Sequence, residues 1–127
     1  MTSMLIHVEN VPMAIAESDR DRVIGNLREL KDDVWELKSE NTKRAYQYDF
    51  NQYLGFCKDN ALPAMASDVN VTKTTCRAYL DYLMSTKLKH HSIRRKIASV
   101  RYFIGVSELP DPWKQSKLFA EYTNHKI

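Results

Sequence analysis

Asn41, Thr42, Lys43, Arg44, Tyr48 and Gln52 fall within one short stretch, and His91, Ser92, Arg94, Arg95 and Ser99 fall within another about fifty residues later. Each stretch gathers cations, hydroxyls and amides, which are hydrogen-bond donors of the kind that grip phosphate oxygens and read base edges. Arginine in such a place can be bidentate to guanine or to phosphate. Both stretches also lie where a helix begins, and free N–H groups at a helix N-terminus attract phosphate even without side-chain charge. The chemistry these residues suit is recognition of a polyanion. Total charge is a weak guide here, because 19 Lys and Arg exceed 16 Asp and Glu by only three. Distribution says more: from Lys87 to Arg101 the chain holds Lys87, Lys89, Arg94, Arg95, Lys96 and Arg101, with His90 and His91 among them and no acidic residue. The competing explanation is a basic helix face that is simply solvated.

The elements that must hold these residues follow from apolar spacing. Residues 1–17 show no sustained period and contain Pro12, so they read as a mobile leader. Ser18 is a plausible N-cap for a first helix running to about Lys38, with Asp19 and Asp21 complementing its dipole. Val23, Leu27, Leu30, Val34 and Leu37 follow a four-three-four-three spacing, a narrow seam suited to contact with another subunit, or to packing on the helix's own domain. Ser39 or Asn41 caps a second helix, whose stripe is Tyr46, Phe50, Tyr53, Leu54 and Cys57 and which ends near Asn60. After a connector over 61–71, Asn70 or Thr72 starts a third, with Cys76, Tyr79, Leu80, Leu83 and Met84 on one side.

A fourth helix from His91 or Ser92 places Ile93, Ile97, Val100 and Ile104 on one stripe, and Gly105 loosens its end. Asp111 as N-cap with Pro112 at the first helical position opens a last helix that reaches the C-terminus. At 100° per residue, the second helix turns Arg44, Tyr48, Asn51 and Gln52 away from its stripe, and the fourth turns His91, Arg95, Ser99 and Tyr102 away.

The chain's 127 residues fit one domain, 18–127 after the leader, and three glycines with four prolines argue for an all-α fold over a loop-rich or all-β one. Cys57 and Cys76 occupy apolar positions without zinc-like spacing, so they read as reduced core thiols, and no metal or other cofactor is expected. Met4 to Val8 is apolar but follows no basic region and is soon interrupted, which fits neither a signal peptide nor a membrane span.

Ser39-Glu-Asn-Thr-Lys-Arg-Ala-Tyr46, then Phe50 and Tyr53, then Tyr79-Leu-x-x-Leu83, His91-Ser-Ile-Arg-Arg-Lys-Ile-Ala-Ser-Val-Arg-Tyr-Phe103 and Leu109-Pro-Asp-Pro112 together resemble the core-binding domain of tyrosine recombinases. The resemblance covers about residues 18–127, and a leader helix before the Ser-Glu-x-Thr start is a Cre-like feature. It implies a SAM-like bundle of four to five helices with an additional leader helix, forming one jaw of a C-shaped clamp on double-stranded DNA. In that family the helices matching 41–58 and 91–105 face the major groove, which carries contact roles onto Thr42, Arg44, Tyr48, His91, Ser92 and Arg95. Several identities depart from the Cre pattern, so no target sequence carries over.

The family's catalytic groups belong to a separate domain. His91-Ser-Ile-Arg94 formally matches its His-x-x-Arg box, but Ile93 and Ile97 require that segment inside the bundle, and Tyr122 reads as a packing aromatic. The expectation is therefore a DNA-binding chain that catalyses nothing alone, takes no small-molecule substrate, meets no membrane and works in the cytoplasm on the nucleoid. Self-association, or contact with recombinase subunits, would use the first helix. The starting methionine favours a true N-terminus, and Lys126-Ile127 falls about where the family's interdomain linker would begin. A helical protein-interaction module and a regulator of recombinase assemblies remain the alternatives.

Overall fold

The computed structural model describes residues 11–29 and 33–127. Along them run β1 (Met13–Ala14), α1 (Glu17–Glu29), α2 (Asp33–Leu37), α3 (Glu40–Asp59), β2 (Met65–Ala66), α4 (Val69–Met84), α5 (His90–Ser107), α6 (Pro112–Gln115) and α7 (Lys117–Lys126). The fold is all-α, with one two-residue parallel strand pair, Met13 opposite Met65 and Ala14 opposite Ala66. The central element is α5, which packs on α3, α1 and α4. Its stripe of Ile93, Ile97, Val100 and Ile104 is buried as the spacing predicts, and three neighbours bury a wider arc than one stripe, taking in Phe103 and Ser99. Each large apolar side chain so buried contributes roughly 1.5–3 kcal/mol.

Side chains close the helix starts. Ser39 Oγ accepts the Thr42 N–H at 3.1 Å, Asp111 Oδ1 the Trp113 N–H at 2.8 Å, and Ser116 Oγ the Phe119 N–H at 3.1 Å. The third long helix starts at Val69, because Asp68 Oδ1 accepts from the Asn70 N–H at 2.9 Å and so takes the capping position expected of Asn70 or Thr72. The expected single last helix is two, since Ser116 is extended and caps anew. Gly105 does not end α5; the helix runs to Ser107 and stops at Glu108, which is left-handed at φ 60°. That non-glycine residue is held there by its carboxylate, Oε2 accepting from Arg22 at 3.2 Å and Asn26 at 3.3 Å on α1.

Part of the expected leader is tied down. The Ala64 N–H donates to the Pro12 carbonyl at 2.7 Å, the Ser67 N–H to Ala14 at 3.1 Å, and the Ala16 N–H to Ser67 Oγ at 2.7 Å. Residues 11–16 thus clip onto 64–67, in the stretch read as a connector, and residues 1–10 lie outside the described ones.

The seam expected along one first helix divides. Val23 and Leu27 on α1 are fully buried in the domain's own core, whereas Val34 and Leu37 on α2 are 53% and 84% exposed. Leu30 lies outside the described residues. The reading of Val23 and Leu27 as subunit contacts is therefore corrected, because α1 spends them on α5. On α2 the buried residue is Trp35, which lies off the seam and packs against Tyr102 and Phe103 at centroid distances of 5.6 and 5.9 Å.

These placements predict that Leu27→Ala destabilises the domain by about 2–5 kcal/mol, as deletion of a fully buried leucine does. Leu37→Ser should stay within about 0.5 kcal/mol of the parent. Urea denaturation of the two variants checks both.

Cys57 and Cys76 are free, buried thiols beside Tyr53, whose hydroxyl lies 3.8 Å from Cys76 Sγ and donates to the Ala64 carbonyl at 2.8 Å. Burial pushes both thiols from 9.0 up to about 12, and burial likewise raises Tyr53. In the unfolded chain the cysteines lose protons near their ordinary value, whereas the folded chain retains them. Their contribution to stability is therefore whole below about pH 9 and is lost as pH rises toward 12. Urea midpoints should hold steady from about pH 7 to 8.5 and fall above about 9, and Cys57→Ala/Cys76→Ala should make that fall shallower.

Candidate nucleic-acid interface

Two helices carry the candidate residues, and the sequence of each dictates how they meet. Phe50 of α3 stacks on Phe103 of α5 at 4.4 Å between ring centroids. Ser99 Oγ donates to the Tyr46 carbonyl at 2.7 Å, and one turn further along α3 Asp49 meets Arg95 and Lys96, one turn back along α5. The Ser99 hydroxyl-to-backbone contact uses a small residue to let the two helices approach.

At the heart of the contact, Asp49 is 0% exposed. Its Oδ2 accepts from Arg95 Nε at 2.9 Å, and its Oδ1 accepts from Arg95 Nη2 at 3.3 Å and Lys96 Nζ at 3.0 Å. Lys96, itself buried, also donates to Gln52 Oε1 and lies 5.6 Å from the centre of the Tyr48 ring. Gln52 Nε2 in turn donates to the Tyr48 hydroxyl at 3.1 Å. Two cations face one carboxylate, so the cluster is satisfied internally and keeps one net positive charge at the surface, on Arg95.

The candidate residues divide accordingly. Arg44, Tyr48 and Gln52 of α3 and Arg95 of α5 are exposed, Arg95 over about half of its side chain. Asn41 and Thr42 stand at the start of α3, where Ser39, not Asn41, is the cap. His91 and Ser92 stand at the start of α5, which has no side-chain cap.

Three candidates are elsewhere. Lys43 is buried, its Nζ 3.8 Å from Glu36, 3.7 Å from Glu40 and 6.0 Å from the centre of the Trp35 ring. Ser99 is 0% exposed because α3 covers that side of α5. Arg94 is exposed but turned to the chain's end, Nη2 donating to the Ile127 carbonyl at 2.7 Å. Tyr122 Oη donates to Asp81 at 2.6 Å, which raises the phenol's pKa, the opposite of activation as a nucleophile.

Sequence reading missed Asp49 and Lys96 as a buried pair. The signal was available: Asp49 lies three residues after Tyr46 and four before Tyr53, and Lys96 three after Ile93 and four before Val100. A charge that recurs on an apolar stripe is a charge that needs a buried partner.

The geometry is that of an all-α bundle with hydrogen-bond donors exposed on two adjoining helices, α3 and α5. The family model described as "Phage integrase, N-terminal SAM-like domain" matches residues 27–106, and the chain belongs to that family. No curated protein and no solved structure matches the chain. Membership connects it to DNA recombination and integration. Among the described residues no helix is long and apolar enough to cross a membrane.

Asp49→Ala should cost about 3–5 kcal/mol, because it leaves Lys96 buried without its carboxylate. Arg44→Ala, on the exposed side, should change stability by less than about 0.5 kcal/mol. Urea denaturation of each variant measures the difference.

Proposed function

We propose that this chain binds duplex DNA as the non-catalytic clamp half of a Cre-like site-specific tyrosine recombinase. The observation that carries the reading is the exposed set of donors on α3 and α5, Arg44, Tyr48, Gln52 and Arg95, in a member of the integrase N-terminal domain family. The uncapped start of α5 with His91 and Ser92, and the start of α3 with Asn41 and Thr42, offer phosphate-binding ends. Lys87 and Lys89, both exposed, extend the charge beyond the α5 end. Subunit contact, in this reading, rests on α2 through Val34 and Leu37 and not on α1. Chemistry on the DNA strands falls to another domain.

One jaw of a clamp neutralises few phosphates, so binding by this chain alone should be weak and strongly salt-dependent. With roughly four to six phosphate contacts, the slope of log affinity against log salt should lie near −4 to −5. Arg44→Ala and Arg95→Ala should each weaken binding by about 1–3 kcal/mol where they touch bases, and less where they touch phosphate alone. Titration of a labelled duplex at several salt concentrations reads both quantities. Absence of binding at low salt, or affinity indifferent to salt, would overturn the DNA reading in favour of a protein-interaction module.

A further inference from the structure

We infer that Asp49 is a positioning residue that aims Arg95 at guanine, so that Arg95 reads a base and does not merely neutralise a phosphate. The inference rests on the duplex-binding reading above and deepens it. A guanidinium has five N–H donors in a rigid planar fork. Asp49 takes the side edge, accepting from Nε at 2.9 Å and from one hydrogen of Nη2 at 3.3 Å. The remaining Nη2 hydrogen and one Nη1 hydrogen make up the outer edge, the other Nη1 hydrogen pointing back along the Cδ side, and the side chain is 49% exposed. An outer edge of two parallel N–H groups matches the O6 and N7 acceptors that guanine presents in the major groove.

The anchor is itself immobile. Asp49 has 0% exposure, and Lys96 Nζ holds the same Oδ1 at 3.0 Å from inside the bundle. An arginine free on its stem loses several rotors when it binds, whereas one already clamped through its side edge loses little, and the difference appears as selectivity. Beside it, the Tyr48 hydroxyl accepts from Gln52 Nε2 at 3.1 Å, which leaves its own hydrogen to donate outward. The Arg95 outer edge offers donors and no acceptor, which favours guanine O6 and N7 over the donor-bearing edges of adenine and cytosine.

The test uses the full chain and a randomised duplex pool, since the target sequence is unknown. Selection at low salt should enrich a guanine whose replacement by 7-deazaguanine, which lacks N7, weakens binding roughly 5- to 150-fold. Arg95→Lys keeps the charge but not the fork, so it should bind the unmodified duplex weakly and be indifferent to 7-deazaguanine. Asp49→Leu/Lys96→Met removes the anchor and its buried counter-charge together, leaving net charge unchanged. It should keep the parent's salt slope and lose the penalty for 7-deazaguanine. A double variant that retains the full penalty would overturn the positioning role.

Proton–nitrogen NMR of the parent chain supplies a reading independent of any variant's folding. The Arg95 Nε–H should be sharp and slow to exchange in free protein and should stay so on the duplex; rapid exchange in the free chain overturns the inference. Salt-dependent binding with no enriched guanine would sink the inference and leave duplex binding standing. No binding at low salt would sink both.

Discussion

The register of α3 on α5 depends on one buried carboxylate. Aromatic packing between the two helices, including the Phe50–Phe103 stack, is attractive over a range of offsets and would tolerate a slip. The Asp49 ion pairs would not. Desolvating a carboxylate and an ammonium costs several kcal/mol each, offset only while both remain within hydrogen-bond distance. Moving α3 by one residue relative to α5 would pull Asp49, which is fully buried, away from Arg95 and Lys96, and would leave the buried Lys96 without its carboxylate. The Ser99 hydroxyl on the Tyr46 carbonyl adds a second, neutral pin one turn away. Fixing that register also fixes which side chains stand outward, Arg44, Tyr48 and Arg95 among them.

The same economy governs the other cations. Read as a string, Lys87 to Arg101 looks like six positive charges on one surface. In the fold Lys96 is consumed inside, Arg94 turns to the Ile127 carbonyl, and Arg101 pairs with Asp111 at 3.4 Å while lying 5.4 Å from the Trp113 ring. Arg101 therefore helps attach α6 to α5. What remains exposed from that stretch without a side-chain carboxylate partner among the described residues is Lys87, Lys89 and Arg94, with a half-exposed Arg95 that shares Asp49 with Lys96. Counting basic residues in sequence overstates an electrostatic footprint wherever helices are packed tightly enough to need internal counter-charges.

Apolar stripes were the legible part of this fold. Tyr53, Phe50 and Cys57 on α3, Cys76, Tyr79, Leu80 and Leu83 on α4, and Ile93, Ile97, Val100 and Ile104 on α5 all lie where their spacing puts them, and Ser39 and Asp111 cap as their positions suggest. What spacing did not reveal was how much of each helix is covered. A single stripe implies one buried face, but α5 has neighbours on three sides, so Ser99 went inside although it lies well off the stripe. Lys43 went inside for a different reason: its stem lies along Trp35 while its ammonium meets two glutamates. The seam from Val23 to Leu37 misled because a four-three spacing is indifferent to where a helix ends. Two short helices can share it by coincidence while burying different sides, as α1 and α2 do.

The same carboxylate that sets the register decides how Arg95 is presented. Asp49 is fully buried and accepts from Nε and from one hydrogen of Nη2, so the guanidinium is anchored along its side edge while about half of the side chain stays exposed. Lys96 balances the carboxylate from inside, so neither buried charge is left without a partner and the surplus positive charge is the one that reaches solvent on Arg95. An arginine tied to a mobile surface carboxylate would share that carboxylate's freedom, whereas this one takes its orientation from a group locked in the contact between α3 and α5.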